Sequence, residues 1–455
     1  MKIQATITKT LWIFLIACCM MSLPACAKNP KKKEMKTPTF KLDLKVEKYQ
    51  MPNGLRVLLH ADPKAPLINY QTWYRVGGKD DPKGQSGIAH LFEHLMFRET
   101  KKRKGKDFLQ DIQSRGIYLN AYTSHDHTVY YFNLPKKELE YIAELEAERM
   151  VDLVLNETNL KLEQDIVKEE RMMRYENSPQ NIYIDLFETI FKTSNYRSPV
   201  IGYKKDINAI SIKNCLDFYN TFYSPNNAVL VIAGPIHIEK TKKILEKYYG
   251  HLKPAKLPDR SYPEEVKQTK ARAKDLHRPV QTASFTLAYP LPKASSKESY
   301  ALELLSFILG GGESSRLYRS LVEKNAVAVS AHASSYFLET EGIFYISSDL
   351  HPQKSIKTAE NLALKEIQKI ISEPITQEEL DLAKTNIVKA HVDSLKTAEG
   401  KASLLAYHET VFYDYAHSFQ EVDRYNNVQL ADLKKVAQVY LKPYQQNLIR
   451  LYPKK

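Results

Sequence analysis

Cysteine is almost absent from this chain. Of 455 residues four are cysteines, and three of them, Cys18, Cys19 and Cys26, crowd into the first 26 positions, leaving Cys215 alone in the body. An internal disulfide framework is thereby excluded, and neither a cysteine-based zinc site nor a cysteine nucleophile has support. Long apolar runs are as scarce. The one candidate, "LWIFLIACCMM" at 11–21, follows Lys2 and Lys9. It falls short of the roughly 20 residues a bilayer-spanning helix needs, and so reads as a secretory signal. Acidic residues are outnumbered 53 to 66, a net charge of +13 that becomes +11 once the two lysines of residues 1–25 are removed. The surplus is scattered, without the aromatic-interleaved stripe of a nucleic-acid surface. Attraction to anionic lipid or acidic peptides is the more natural use in an exported protein. With 43% hydrophobic and 26% charged residues, neither disorder nor a polytopic membrane protein is indicated.

"LPAC" at 23–26 resembles a bacterial lipobox, in which Cys26 would carry lipid as the first mature residue, while "ACA" at 25–27 also fits ordinary signal cleavage. The lipoprotein reading is preferred because a polar, basic, proline-punctuated spacer, "KNPKKKEMKTP", follows at once. Residues 1–26 are thus expected to be a signal with lipobox and 27–43 a tether. The protein is placed on the periplasmic side of a bacterial envelope membrane.

The length of the body suits two packed domains. It begins with "LKVEKYQMPNGLRVLLHAD", a hairpin around Asn53-Gly54, and a second strand-like run that ends in two glycines. A polar loop then delivers "IAHLFEHLMF" to a helix start. A helix near "KDFLQDIQSRG", strands "IYLNAYTSHD" and "HTVYYFNLP", and helical pattern from Lys136 to about Glu176 and on to 223 follow, closed by the buried strand "NAVLVIAGPI". Residues 251–280, rich in proline and charge, read as a linker. Beyond them the order repeats, ending in "NLIRLYP", which echoes "NNAVLVIAG". The expectation is an α+β duplication, 44–250 and 281–455, each half a mainly antiparallel sheet covered by helices.

In "HLFEH", His90 and His94 stand one turn apart on one helix face, so both imidazoles can reach a common ion, and Glu93 remains near. A catalytic zinc takes a third protein ligand and keeps its fourth position for water, whose pKa it lowers towards about 7. Histidine pairs at this spacing are usually bland, and His125 and His127 in "SHDHT" read as exposed polar positions. A third ligand is available downstream. In "LEQDIVKEERMMRYE", Glu163 and Glu170 lie seven apart on one face of a predicted helix, and carboxylates buried in that way need a cation or hydrogen-bond partners.

The order and spacing of these segments resemble the inverted-zincin peptidase family of pitrilysin, insulin-degrading enzyme and the mitochondrial processing peptidase, whose motif is H-x-x-E-H. The likeness runs from "VGGKDDPKGQSGIAHLFEHLMFRET" through "LNAYTSHDHTVYYF", "NSPQN", "PVIGYKKDI" and "FYNTFYSPNNAVLVIAG" to "LGGGESSRLYRSLVEK", covering about residues 44–455. It implies that His90, His94 and Glu170 bind Zn²⁺, that Glu93 is the general base, and that Glu163 orients a ligating imidazole. It implies that Asn120, Ala121, Tyr122 and Thr123 form an edge strand that pairs with the peptide substrate. The fold implied is half of a clamshell chamber, with a second domain that lacks a zinc site, and the activity a zinc endopeptidase.

One departure matters. Counted without gaps from "GGGESSRL", the positions where the family usually carries an Arg and a Tyr that reach the substrate are Val322 and Val329; Arg316, Tyr318 and Arg319 match other positions. A related peptidase-like subunit is expected to supply the missing pair in a heterodimer. A homodimer that manages without it is the opposing reading, and a non-catalytic peptide-binding or scaffold subunit the alternative function. Loss of one oxyanion donor costs about 10²- to 10³-fold in rate.

Overall fold

The computed structural model describes residue 40 and residues 42–454; the signal, the lipobox with Cys26 and nearly all of the tether lie outside the described residues. Residues 42–454 belong to one compact unit. Among the described residues no helix is long and apolar enough to cross a membrane.

Two sheets organise this unit. The first contains β1 (Glu47–Gln50), β2 (Arg56–Ala61), β3 (Ile68–Tyr74), β4 (Tyr118–Thr123), β5 (Thr128–Leu134) and β6 (Ala228–Gly234), in the order β1-β2-β6-β3-β5-β4. The second contains β7 (Arg272–Arg278), β8 (Ser284–Pro292), β9 (Ala328–Phe337), β10 (Glu341–Leu350) and β11 (Asn447–Pro453), in the order β7-β11-β8-β10-β9. In each sheet a single pair is parallel, β2 with β6 and β7 with β11, and every other pair is antiparallel. With β1 set aside, β2, β3, β4, β5 and β6 take the places of β7, β8, β9, β10 and β11. The duplication expected from element order is therefore a duplication of topology.

The first half supplies helices α1 (Ile88–Leu95), α2 (Gly105–Ser114), α3 (Leu139–Val151), α4 (Glu157–Arg171), α5 (Tyr183–Ile190), α6 (Lys204–Ala209), α7 (Ile212–Phe222) and α8 (Ile238–Tyr249). The second supplies α9 (Ser299–Gly310), α10 (Ile356–Ser372), α11 (Gln377–Ser394), α12 (Ala398–Val411), α13 (Glu421–Asn427) and α14 (Leu430–Tyr440). Each half lends one helix to the other. Ala402, Leu405 and Ala406 of α12 pack on Leu58, Trp73, Val229 and Val231 of the first sheet, while Leu186, Phe187 and Ile190 of α5 pack on Ala288 and Ile449 of the second. Both sheets thereby bury two faces, which accounts for the unbroken apolar character of β6.

Polar contacts tie the halves together as well. Lys79, only 1% exposed, pairs with Asp126 of the first half at 2.8 Å and with Glu339 of the second, and Arg75 joins it on Glu339.

The structure corrects three sequence expectations. The helical stretch from Lys136 to Glu176 is broken between α3 and α4, where Asn156 caps the new helix by accepting from Asn159 N at 2.8 Å. The linker expected over 251–280 contains β7, an edge strand with alternating exposure. His125 and His127 are buried, the first stacked on Phe187 with centroids 5.0 Å apart, the second against Trp73 at 4.6 Å. A polar dipeptide spacing cannot reveal those tertiary ring contacts.

Candidate metal centre

Gly87 precedes helix α1 as its N-cap, and its φ of +90° is open to glycine at little cost. A side chain there would also collide with Gly202 Cα and Ile201 O, each 2.7 Å from the added carbon. The loop before α1 therefore touches the loop that follows α5 backbone to backbone. Asp81 fastens the helix start, accepting from Gly87 N at 2.6 Å and Ala89 N at 3.1 Å. At the other end Arg149 Nε donates to Met96 O at 2.9 Å.

So anchored, α1 turns His90 and His94 towards α4. His90 Nε2 lies 3.5 Å and His94 Nε2 3.4 Å from the same atom, Glu170 Oε2. A tetrahedral zinc with bonds of about 2.0–2.2 Å sets its ligands roughly 3.3–3.5 Å apart, so these spacings fit the ion. Glu170 Oε2 is buried and has no hydrogen-bond partner among the described residues, a condition that a cation relieves. These three side chains are the one group of three metal-capable residues whose ligand atoms converge, all within 4.8 Å, among the described residues.

The remaining predicted residues surround this cage. Glu163 Oε2 stands 3.1 Å from His94 Nδ1, and its other oxygen is held by Arg98. An imidazole bonded in this way keeps Nε2 free for a metal. Arg98, four residues beyond His94, went unrecognised in the sequence; its i+4 spacing was the available signal. Glu93 is 9% exposed, and its Oε2 accepts from Thr123 Oγ1 at 2.6 Å. Thr123 thus contacts the expected base as well as belonging to β4. That strand closes one end of the first sheet and has a free edge. On it Tyr122 is exposed, and Asn120 Oδ1 accepts from Ala121 N at 2.9 Å. Val322 packs half-buried against the second core, whereas Val329 is exposed on edge strand β9. Arg316 is committed to Glu379 through two bonds of 2.6 and 2.8 Å.

Charge is unevenly distributed across the cage. Burial pushes His90 down to about 4. Burial acts in the same sense on His94, but Glu163 and Glu170 outweigh it and raise that imidazole to about 9. Glu170, which burial alone would raise, is held near 2 by His94, His90 and Arg174. Burial lifts Glu93 to about 7, the range suited to a base working near neutrality. Near pH 7 His94 therefore carries a proton that a metal must displace, and raising the pH removes that competitor. Apparent zinc affinity, measured by chelator competition from about pH 6.5 to 8, should rise about tenfold per pH unit. A flat profile would contradict this charge assignment.

Two histidines and a glutamate converging from neighbouring helices, on a twice-repeated α+β unit, define the inverted-zincin class of metallopeptidase fold. Comparison with known proteins agrees. Residues 56–203 match the family described as Insulinase (Peptidase family M16), and residues 209–387 match the Peptidase M16 inactive domain. A Helicobacter pylori protein named zinc protease PqqE is 30% identical over 418 residues, 90% of this chain and 93% of that one. The crystal structure of a protease from Helicobacter pylori superposes with a TM-score of 0.85 at 30% identity, covering 90% of this chain and all of that one. An M16-like peptidase structure from Alicyclobacillus acidocaldarius shares the fold, with a TM-score of 0.82 at 22% identity over 91% of this chain and 99% of that one. The chain belongs to peptidase family M16, in its bacterial short-chain type.

Proposed function

We propose that this chain is a zinc-dependent endopeptidase acting on peptides or unfolded polypeptide segments. The observation that carries the reading is Glu170 Oε2, buried without a hydrogen bond and facing both Nε2 atoms of "HLFEH". His90, His94 and Glu170 would hold the zinc, which when bound supplies Lewis-acid polarisation of a carbonyl and acidifies water. Glu93 would take the proton of the attacking water and return it to the leaving amine. Thr123 steadies the carboxylate for that task. Glu163 and Arg98 keep the His94 tautomer fixed. The free edge of β4, residues Asn120–Thr123, would receive the substrate as an added strand. Main-chain pairing tolerates many sequences, and the Asn120 side chain would have to release Ala121 N for it to form.

In this reading residues 44–250 form the catalytic domain and 281–455 a related domain without zinc ligands. The exposed side chain of Val329 offers no hydrogen-bond donor, which favours a heterodimer whose related partner completes the chamber with an Arg and a Tyr. The same valine supports a second reading, a non-catalytic peptide-binding subunit. Export and a lipid on Cys26 would place either form on the periplasmic side of an envelope membrane. Cleavage of an unstructured peptide by protein purified with its partner distinguishes the two readings. Chelation should abolish turnover and stoichiometric zinc restore it. A fully zinc-loaded complex without turnover would favour the binding subunit.

A further inference from the structure

Glu170 of α4 precedes Arg174, in the π turn that continues the helix, by four residues, the order that suits a helical ion pair. Arg174 Nη2 lies 2.8 Å from Glu170 Oε1 in an ion pair. The second oxygen, Oε2, faces the imidazoles at 3.4 and 3.5 Å and has no hydrogen bond. The two oxygens of one carboxylate thus have different tasks. Between the residues the helix changes character. Regular α4 ends at Arg171 and continues as a π turn, Met172–Glu176, in which Asn177 N donates to Met172 O at 2.7 Å. Turns of this kind recur at functional sites.

Neither stability nor metal affinity accounts for the pair. Arg174 is 58% exposed, and exposed ion pairs contribute little to stability. A guanidinium beside a dication repels it, so the pair does not strengthen metal binding. Its distinctive effect is on denticity. A carboxylate free to rotate can offer zinc both oxygens, whereas one fastened through Oε1 offers Oε2 alone. Two imidazole nitrogens and one oxygen leave a tetrahedral position free, as a catalytic site requires.

We propose that Arg174 is a positioning residue that restricts Glu170 to one ligating oxygen, so that the metal with one water is four-coordinate rather than five-coordinate. The proposal rests on the zinc reading above. Its test replaces zinc by Co²⁺ in the full chain and its Arg174→Met and Arg174→Lys variants, because four-coordinate cobalt absorbs visible light far more strongly than five-coordinate cobalt. The wild type should give the intense spectrum. Arg174→Met should lose most of that intensity, keep or gain metal affinity, and lose about 10- to 100-fold in kcat with KM little changed. Arg174→Lys, which retains one donor for Oε1, should recover much of the spectrum. An unchanged spectrum in Arg174→Met overturns the proposal and leaves the zinc site standing. Failure of the wild type to bind cobalt overturns both.

Discussion

Glu93→Gln should remove peptide cleavage while leaving the metal in place. The substitution preserves size and can keep the contact with Thr123 Oγ1, now 2.6 Å from Glu93 Oε2, so α1 and its two histidines should not move. It removes the carboxylate beside the cage that is neither a proposed ligand nor a hydrogen-bond partner of His94. General-base catalysis contributes about 10²- to 10⁴-fold, and a loss of that size in kcat/KM, with zinc content unchanged, is the expected result. The assay should use protein purified together with any accompanying subunit. Unchanged turnover would remove Glu93 from the role of base. Lost zinc would mean that the glutamate holds the metal instead.

Arg149→Met should destabilise the fold more than any surface change. Arg149 is 1% exposed and pairs with Glu146, also 1% exposed, within α3. Its guanidinium lies 5.0–5.6 Å from the ring centroids of Tyr130, Phe97 and Phe108, and its Nε holds Met96 O at the end of the zinc-motif helix. Methionine fills the space but strands the Glu146 carboxylate, whose other oxygen is held only by Thr72 Oγ1 at 3.1 Å. Breaking a buried pair from one side costs about 3–5 kcal/mol, whereas replacing both partners often costs much less. Chemical denaturation should therefore show the large loss for Arg149→Met and partial recovery when Glu146→Gln is added. Equal losses in the single and double variants would mean that packing, not the stranded charge, sets the cost.

The predicted residues of the site were legible because the chemistry lies in short spacings. Two histidines four apart and two glutamates seven apart each share a helix face wherever the helices lie, and only their meeting had to be found in the structure. What escaped depends on distant partners. β7 reads as a charged linker because one of its faces meets solvent, and its sheet neighbour β11 comes some 170 residues later. His125 and His127 looked exposed because nothing local announces Phe187 or Trp73. The exchange of α5 and α12 between the halves has no sequence signature at all, since an amphipathic helix does not say which sheet it will cover. Arg98 and Arg174 announce themselves only by standing four residues, one helical turn, beyond a proposed ligand.

The reading as a whole stands on the cage formed by His90, His94 and Glu170. Crystals of the purified chain, measured on both sides of the zinc absorption edge, test it without reference to substrate or partner. One anomalous peak per chain is expected, about 2.0–2.2 Å from both Nε2 atoms and from Glu170 Oε2. A zinc-supplemented crystal with no peak there, or with a peak on other side chains only, would contradict it.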